Sequence, residues 1–348
     1  MAIYSKLLSI NAVLARFKAP AYYRDEARRF IFQKGVTDFQ LMTSLPLKLR
    51  QVLSQESGPI LSLTKISEVN SQQAHKVLFA CRDGNKLEAV RMLFCLKTGP
   101  HQSLCLSSQS GCALGCKFCA TGRLGFNRNL TSEEISDQLL FFKSQKQPVK
   151  SVSFMGMGEP LANADNVIAA IKIITDPDYF SFSPRRISLS TVGIIPGIRR
   201  LTREFSQINL AFSLHSPFPQ QRLELMPISK TYPVKEIFPV LDEHIRLTNK
   251  RVFVAYVLLA GINDSVCHAR ELVKLLKARG RYAYLYHVNL IRFNTGSTLV
   301  GFQRPQAERI TAFRQILLQN RISHTLRQSF GADIAAACGQ LAGQVVNK

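Results

Sequence analysis

Cys112, Cys116 and Cys119 stand in Ser110-Gly-Cys-Ala-Leu-Gly-Cys-Lys-Phe-Cys-Ala-Thr-Gly122, a C-x3-C-x2-C spacing. Three thiolates so placed suit three irons of a [4Fe–4S] cluster and leave the fourth iron without a protein ligand. An open iron offers a seat to the amino and carboxylate groups of S-adenosylmethionine. One electron from the cluster then breaks a carbon–sulfur bond and yields a 5′-deoxyadenosyl radical, with the protein supplying ligation, burial and orientation. Gly111, Gly115 and Gly122 suit a loop folded tightly around such a cube. A structural zinc knot is the plainer alternative, but it calls for a fourth ligand and usually for paired C-x2-C units, of which the chain has one.

Other residue types with chemical capacity recur after apolar runs. Phe154-Met-Gly-Met-Gly-Glu-Pro160 reads as a strand followed by a glycine-rich turn, in which Glu159 can hold an ammonium or a ribose. The same turn is equally an ordinary tight turn with an exposed carboxylate. Ser190-Thr191 and Ser213-Leu-His215 offer hydroxyls and an imidazole, although a satisfied core histidine is the default for His215. Cys105 precedes the triplet by seven residues, and Cys338 lies in the small-residue segment Ala336-Ala-Cys-Gly-Gln-Leu341. Two thiols outside the triplet suggest covalent sulfur chemistry. Cys81, Cys95 and Cys267 read as small buried thiols, the usual fate of a free cysteine.

The elements that must position these groups can be traced from periodicity. Residues 1–75 read as short helices broken at Pro20 and Pro46. Leu7, Leu8, Ile10, Val13, Leu14 and Phe17 fall at helical spacing, which favours a first amphipathic helix over a targeting peptide. Arg24, Arg28 and Arg29 beside Tyr22, Tyr23 and Phe30 suit an RNA-contacting helical module, or a solvated charged face. Residues 76–98 alternate apolar and polar and read as a hairpin linking to a main domain over 99–348. There, strands near 104–107, 152–155, 187–190, 208–213, 252–259 and 285–291 alternate with helices near 132–146, 163–175, 196–205, 234–247, 266–278 and 306–319. The expected fold class is α/β, a partial (β/α)6 TIM-like barrel with a small N-terminal helical accessory domain. Such barrels gather their active groups at the C-terminal strand ends, where the cysteine loop, Gly158-Glu159, Ser190, His215 and Asn294 all fall.

Composition bounds the partners. Hydrophobic residues are 46% of the 348, as in an ordinary globular chain. Lys plus Arg outnumber Asp plus Glu 45 to 23, a net charge of +22 that argues for a polyanionic partner. Eight scattered cysteines do not resemble a secreted disulfide framework, and a cluster with free thiols fits a reducing cytoplasm. No apolar run approaches the roughly 18 residues of a membrane span.

Taken together, Cys105-Leu-Ser-Ser-Gln109, the triplet, Gly125-Phe-Asn-Arg-Asn-Leu-Thr131, Phe154–Asn163, Leu189-Ser-Thr191, Ser213-Leu-His-Ser216 and Ala336–Leu341 resemble the RlmN/Cfr radical S-adenosylmethionine rRNA methyltransferases. The resemblance runs from about residue 10 to 343. Asp242–Thr248, His287–Asn294 and Ser329–Ile334 are nearer to the Cfr pattern, whereas Pro160 is the RlmN-like choice. The resemblance implies methylation of adenine 2503 of 23S rRNA, at carbon 8 for Cfr, with resistance to antibiotics of the peptidyl transferase centre. Carbon 2 is the RlmN alternative, possibly with tRNA as a further substrate. It further implies that Cys112, Cys116 and Cys119 hold the cluster, and that Gly158, Glu159, Ser190, Ser213, Leu214, His215 and Asn294 bind S-adenosylmethionine. Cys338 would carry the methyl group, Cys105 would release the product through a disulfide, and Glu88 would accept the ring proton. The implied partners are 23S rRNA and a flavodoxin-type electron donor, and a monomer is expected. Rival readings are a non-catalytic iron–sulfur RNA-binding assembly factor, which needs neither Cys105 nor Cys338, and a radical activase, which needs no basic excess.

Overall fold

The computed structural model describes residues 4–96, 99–295 and 301–343. The chain opens with helices α1 (Ser5–Arg16), α2 (Tyr22–Arg28) and α3 (Leu47–Glu56), with a π-helical turn at Arg29–Gln33. Strands β1 (Leu63–Asn70), β2 (Ala74–Cys81) and β3 (Lys86–Leu96) follow as an antiparallel meander. β4 (Gly99–Leu106) pairs antiparallel with β3 and parallel with β7, so it is the hinge between the meander and the barrel. After β4 come β5 (Gln109–Gly111), the short helix α4 (Ala120–Arg123) and β6 (Phe126–Asn129), where β5 and β6 form a separate two-stranded ribbon.

The α/β repeat then runs α5 (Ser132–Ser144), β7 (Ser151–Phe154), α6 (Ala164–Thr175), β8 (Ile187–Thr191), α7 (Ile195–Glu204) and β9 (Asn209–Ser213). It continues with α8 (Pro219–Leu225), α9 (Val234–Thr248), β10 (Val252–Leu258), α10 (Val266–Lys277), β11 (Tyr286–Arg292), α11 (Ala307–Gln319) and β12 (His324–Arg327). One ten-stranded sheet orders these as β1-β2-β3-β4-β7-β8-β9-β10-β11-β12, parallel from β4 onward. This is the expected partial barrel, with β12 as a seventh parallel strand. The alternation of buried and half-buried residues in β8 and the near-continuous burial of β10 mark strands covered by helices on one face and closing on a core. α5 starts with a capping box: the Thr131 hydroxyl accepts from Glu134 N–H while the Glu134 carboxylate accepts from Thr131 N–H.

Three differences from the sequence reading have physical causes. β1 lies inside the stretch expected to be helical; it is an edge strand with one fully buried residue, Leu63, so it carries little apolar signal. The 76–98 hairpin is present, but β2 is buried on both faces and continues the main sheet, so it is no mere linker. Phe79 packs edge-on against Phe141 and His75 against Phe142, at ring centroids of 4.9 and 5.3 Å. In the N-terminal module Phe30 is core, and Arg28 is engaged by Asp25 and Asp178. The basic–aromatic mixture is thus partly internal. Among the described residues no helix is long and apolar enough to cross a membrane.

The module is tied to the barrel by Asp137 of α5. Its carboxylate accepts from the Tyr4 hydroxyl and, at 2.6 and 2.7 Å, from the N–H and hydroxyl of Ser62. Burial pushes this carboxyl well above the usual carboxylate range, against the opposing pull of the Ser62 N–H. Asp137→Ala strands buried donors and is expected to cost about 2–4 kcal/mol, read as a lower urea midpoint. Because the folded pKa is raised, the wild-type contribution is fullest below the unfolded pKa and is lost as pH rises through the folded value. The midpoint difference between wild type and variant should therefore shrink with increasing pH.

Candidate active site

The C-terminal ends of the parallel strands open into two contiguous cavities of about 1100 and 810 Å³, counting the part open to solvent. The larger is lined by Cys112, Cys116 and Cys119, and by Gly158, Glu159, Ser190, Ser213, His215 and Asn294. The smaller is lined by Cys105. Cys119, Asn294, Arg327 and Cys338 line both. The structure thus brings together all but two of the expected site residues. Leu214 lies fully buried behind the wall, and Glu88 is not among the residues lining either cavity.

The cysteine loop is set by close backbone approach. Gly111 has φ +77°, and a Cβ there would sit 2.1 Å from the carbonyl oxygen of Gly125, across the β5–β6 ribbon. The loop leans on α8 through the Lys117 N–H to Leu225 carbonyl bond, 3.0 Å. Cys112, Cys116 and Cys119 are each partly buried and unpaired. Burial pushes the Cys112 thiol up to about 11 and raises Cys116 and Cys119 as well. Thiols so desolvated are deprotonated by metal coordination.

The opposite wall is built from backbone groups held by two buried charges. Glu159 follows β7, at a turn where Gly158 (φ +93°) passes so close to Gln109 that a Cβ would meet its side chain at 2.5 Å. The Glu159 carboxylate accepts from Leu161 N–H (3.1 Å) and Val192 N–H (3.0 Å). Burial raises its pKa to about 7, opposed by these hydrogen bonds. Arg222 of α8, fully buried, donates to the carbonyls of Val192 (2.7 Å), Ser213 (3.0 Å) and Leu214 (3.1 Å) and to the Ser229 hydroxyl (2.7 Å). It has no carboxylate partner among the described residues.

His215 has φ 58°, so its ring is turned back into the mouth of the barrel. Its Nδ1 accepts from Val257 N–H at 3.0 Å, which leaves the proton on Nε2, and burial lowers its pKa to about 3. A neutral imidazole with a donor Nε2 results. Ser190 and Ser213 hydroxyls lie 3.3 Å apart. Asn294 donates from Nδ2 to the Cys338 carbonyl (3.3 Å), while its buried Oδ1 has no partner. An orphaned acceptor in a cavity with three thiols, a carboxylate and paired hydroxyls fits a ligand that is both polar and cationic, as an iron–sulfur cluster with S-adenosylmethionine requires.

Cys105 and Cys338 are both free and border the same space. Cys105 is buried on β4, and desolvation pushes its thiol up to about 12. Cys338 is exposed on its loop. Cys81 is buried as expected, Cys267 is exposed, and the Cys95 side chain lies outside the described residues. Cys267 falls off the stripe formed by Ala269, Leu272, Val273 and Leu276, so α10 turns it to solvent. Sequence reasoning missed Arg222 and Arg327. Arg327 ends β12, a strand too short and half-exposed to announce itself, and Arg222 follows the Ser213–Ser216 motif without any spacing signal of its own.

Comparison with known proteins agrees with this geometry. Residues 106–276 match the radical SAM superfamily. Relatives named ribosomal RNA large subunit methyltransferase Cfr are 48% identical over 343 residues in Lachnoclostridium phytofermentans, covering 98% of each chain, and 45% identical over 345 residues in Staphylococcus warneri, covering 99% of this chain and 98% of that one. The crystal structure of a radical SAM methyltransferase from Sphaerobacter thermophilus superposes with a TM-score of 0.88 at 37% identity, covering 97% of this chain and 98% of that one.

Arg222 carries the sharpest structural test of the wall. Arg222→Met leaves three strand-end carbonyls without their donor and is expected to cost about 3 kcal/mol. Arg222→Lys should recover only part of this, because a point-like ammonium cannot span the same fork of acceptors. Urea midpoints of the purified variants give both numbers.

Proposed function

We propose, from the premise that this chain belongs to the Cfr family of ribosomal RNA large subunit methyltransferases within the radical SAM superfamily, that it methylates carbon 8 of adenine 2503 in 23S rRNA. The observation that carries the reading is the meeting of two free thiols, Cys105 and Cys338, beside the triplet thiols at one barrel mouth. Binding alone has no use for such a pair. When bound, the cluster and S-adenosylmethionine supply a methyl group and a 5′-deoxyadenosyl radical that abstracts hydrogen.

Cys112, Cys116 and Cys119 would ligate the cluster. Glu159 would face the ammonium of S-adenosylmethionine, and the Ser190 and Ser213 hydroxyls, the His215 Nε2–H and the free Asn294 Oδ1 would hold its polar groups. Gly158 gives backbone access, and Leu214 supports the wall through its carbonyl bond to Arg222. Cys338 would carry the methyl group as a thioether and, after that group loses a hydrogen atom, bond its carbon to the adenine. The adduct would then give up its ring proton and its unpaired electron, the electron returning to the one-electron couple that began the reaction, and the Cys105 thiolate would attack the sulfur of residue 338. The methylated base would depart with the electron pair of the carbon–sulfur bond and take up a proton, leaving a 105–338 disulfide. Two electrons from an external reductant, of the flavodoxin type by expectation, reopen it.

On the substrate side, the adenine must leave its stack, at a cost of a few kcal/mol. The net charge of +22 supplies phosphate attraction to offset that. Methylation at carbon 8 implies resistance to antibiotics of the peptidyl transferase centre. The test is expression in a host lacking its own carbon-2 enzyme, with mass spectrometry of the rRNA fragment around adenine 2503. Carbon-8 methylation is expected; carbon-2 methylation alone would make the enzyme RlmN-like. Cys338→Ala should abolish the methyl group in either case.

Glu159 gives a pH signature. Its carboxyl titrates near 7, so below that pH it is neutral and loses its attraction for an ammonium. S-adenosylmethionine should therefore bind the reconstituted protein more weakly below about pH 7 than above it. Glu159→Gln should flatten the profile.

A further inference from the structure

Glu88 was expected to accept a proton, yet its carboxylate is fully occupied elsewhere. It forms with Lys76 the one ion pair among the described residues in which both side chains are buried, 1% and 5% exposed, with Nζ to Oε1 at 3.0 Å. The remaining valences of the pair all point at one segment. Lys76 Nζ donates to the Ala335 carbonyl at 3.1 Å. Glu88 Oε2 accepts from Ala342 N–H at 2.8 Å and Gly343 N–H at 3.1 Å. Ala335 and Ala342-Gly343 are the two ends of the loop that bears Cys338.

The sheet register puts the other thiol in the same frame. Lys76 of β2 pairs with Val90 of β3, and Val90 pairs with Cys105 of β4. Glu88 is two residues from Val90, so Lys76, Glu88 and Cys105 share one face of the sheet. The loop itself is poorly self-supporting. Its turns place Gly331, Ala335, Gly339 and Gly343 at positive φ, and at Ala335 that conformation is uphill.

We propose that Lys76 and Glu88 form a clasp that straps both ends of the Cys338 loop over the face carrying Cys105, and so sets the reach between the two thiols. Glu88 is a positioning residue, and the ring proton leaves to another group. The proposal rests on the reading of Cys338 and Cys105 as the working thiols. In stability the pair has the signature of a buried ion pair: removing one charge strands the other in a dry site, whereas removing both relieves that penalty without restoring the straps.

The test uses the reconstituted full-length protein under anaerobic conditions. Wild type, Glu88→Gln, Lys76→Met and the double variant are equilibrated in glutathione buffers, and the peptide bridged between 105 and 338 is quantified by mass spectrometry. Each single variant should lower the effective concentration of the two thiols about tenfold or more, and the double variant, which has lost the clasp altogether, should also stay about tenfold or more below wild type even where its thermal stability recovers. rRNA methylation should follow the same order. Thermal unfolding checks that each variant is folded, and the double variant keeps the test open if a single one is not. Unchanged bridging in Glu88→Gln, or a double variant that bridges like wild type, would overturn the clasp. Loss of methylation in Glu88→Gln with normal bridging and no rescue by Lys76→Met would restore Glu88 as the proton acceptor. Normal bridging in a wild-type protein that methylates no RNA would refute the function and leave the clasp intact.

Discussion

The peptide unit of Val192 is held from both sides, and the barrel mouth is organised around it. Its N–H is taken by the Glu159 carboxylate and its carbonyl by the Arg222 guanidinium. The loop after β7, the loop after β8 and the loop after β9 are thereby joined by two buried charges that never meet each other. Neither charge is neutralised by a salt bridge, so each is stabilised by oriented backbone dipoles instead. Such an arrangement costs desolvation twice, with Glu159 lining the cavity and Arg222 buried behind it. That is a stiff, preorganised wall, whose groups need not reorient when a polar cationic ligand arrives.

The same economy of long-range contacts runs through the accessory elements. The antiparallel meander β1–β3 carries the Lys76–Glu88 pair, and α5, which covers it, carries Asp137. The first holds the C-terminal loop and the second holds the N-terminal module through Tyr4 and Ser62. The segments at Tyr4 and at Ala342-Gly343 are therefore fastened to one sheet extension and the helix that covers it.

Much of this was legible in the sequence, and what was not has a common cause. The six expected parallel strands and their helices lie within a few residues of their predicted places, because each buries a continuous apolar stripe. The triplet, Glu159 and His215 stood out in the sequence because chemical type and position after a strand coincide, and Cys105 and Cys338 because they are thiols outside the triplet; the structure places all of them at one barrel mouth. β1 and β12 escaped because edge strands with one or no buried residues have no pattern to read. The partners of Glu88 lie 254 and 255 residues away, and those of Arg222 are backbone groups, so neither leaves a local trace. Leu214 was assigned to the cofactor by motif, whereas its side chain is core and only its carbonyl touches the wall's scaffold.

The two outlying cysteines differ in a way that divides their labour. Cys105 sits in the rigid strand that joins meander to barrel, buried, with a thiol pushed up to about 12. A thiol in that state resists oxidants and alkylation, because only the thiolate reacts. Cys338 is exposed on a loop and reaches both cavities. A carrier has to accept a group at one side of a site and present it at the other, so a loop position serves it; a resolving thiol has to stay silent until the product is joined, so burial serves it. On the proposed reaction, the attack of Cys105 would require its proton to be taken within the buried site. Ser153 and the guanidinium of Arg327 both act to lower its pKa and so favour the thiolate. Arg327 also lines both cavities, so the end of β12 brings a cation to the space that the two thiols border.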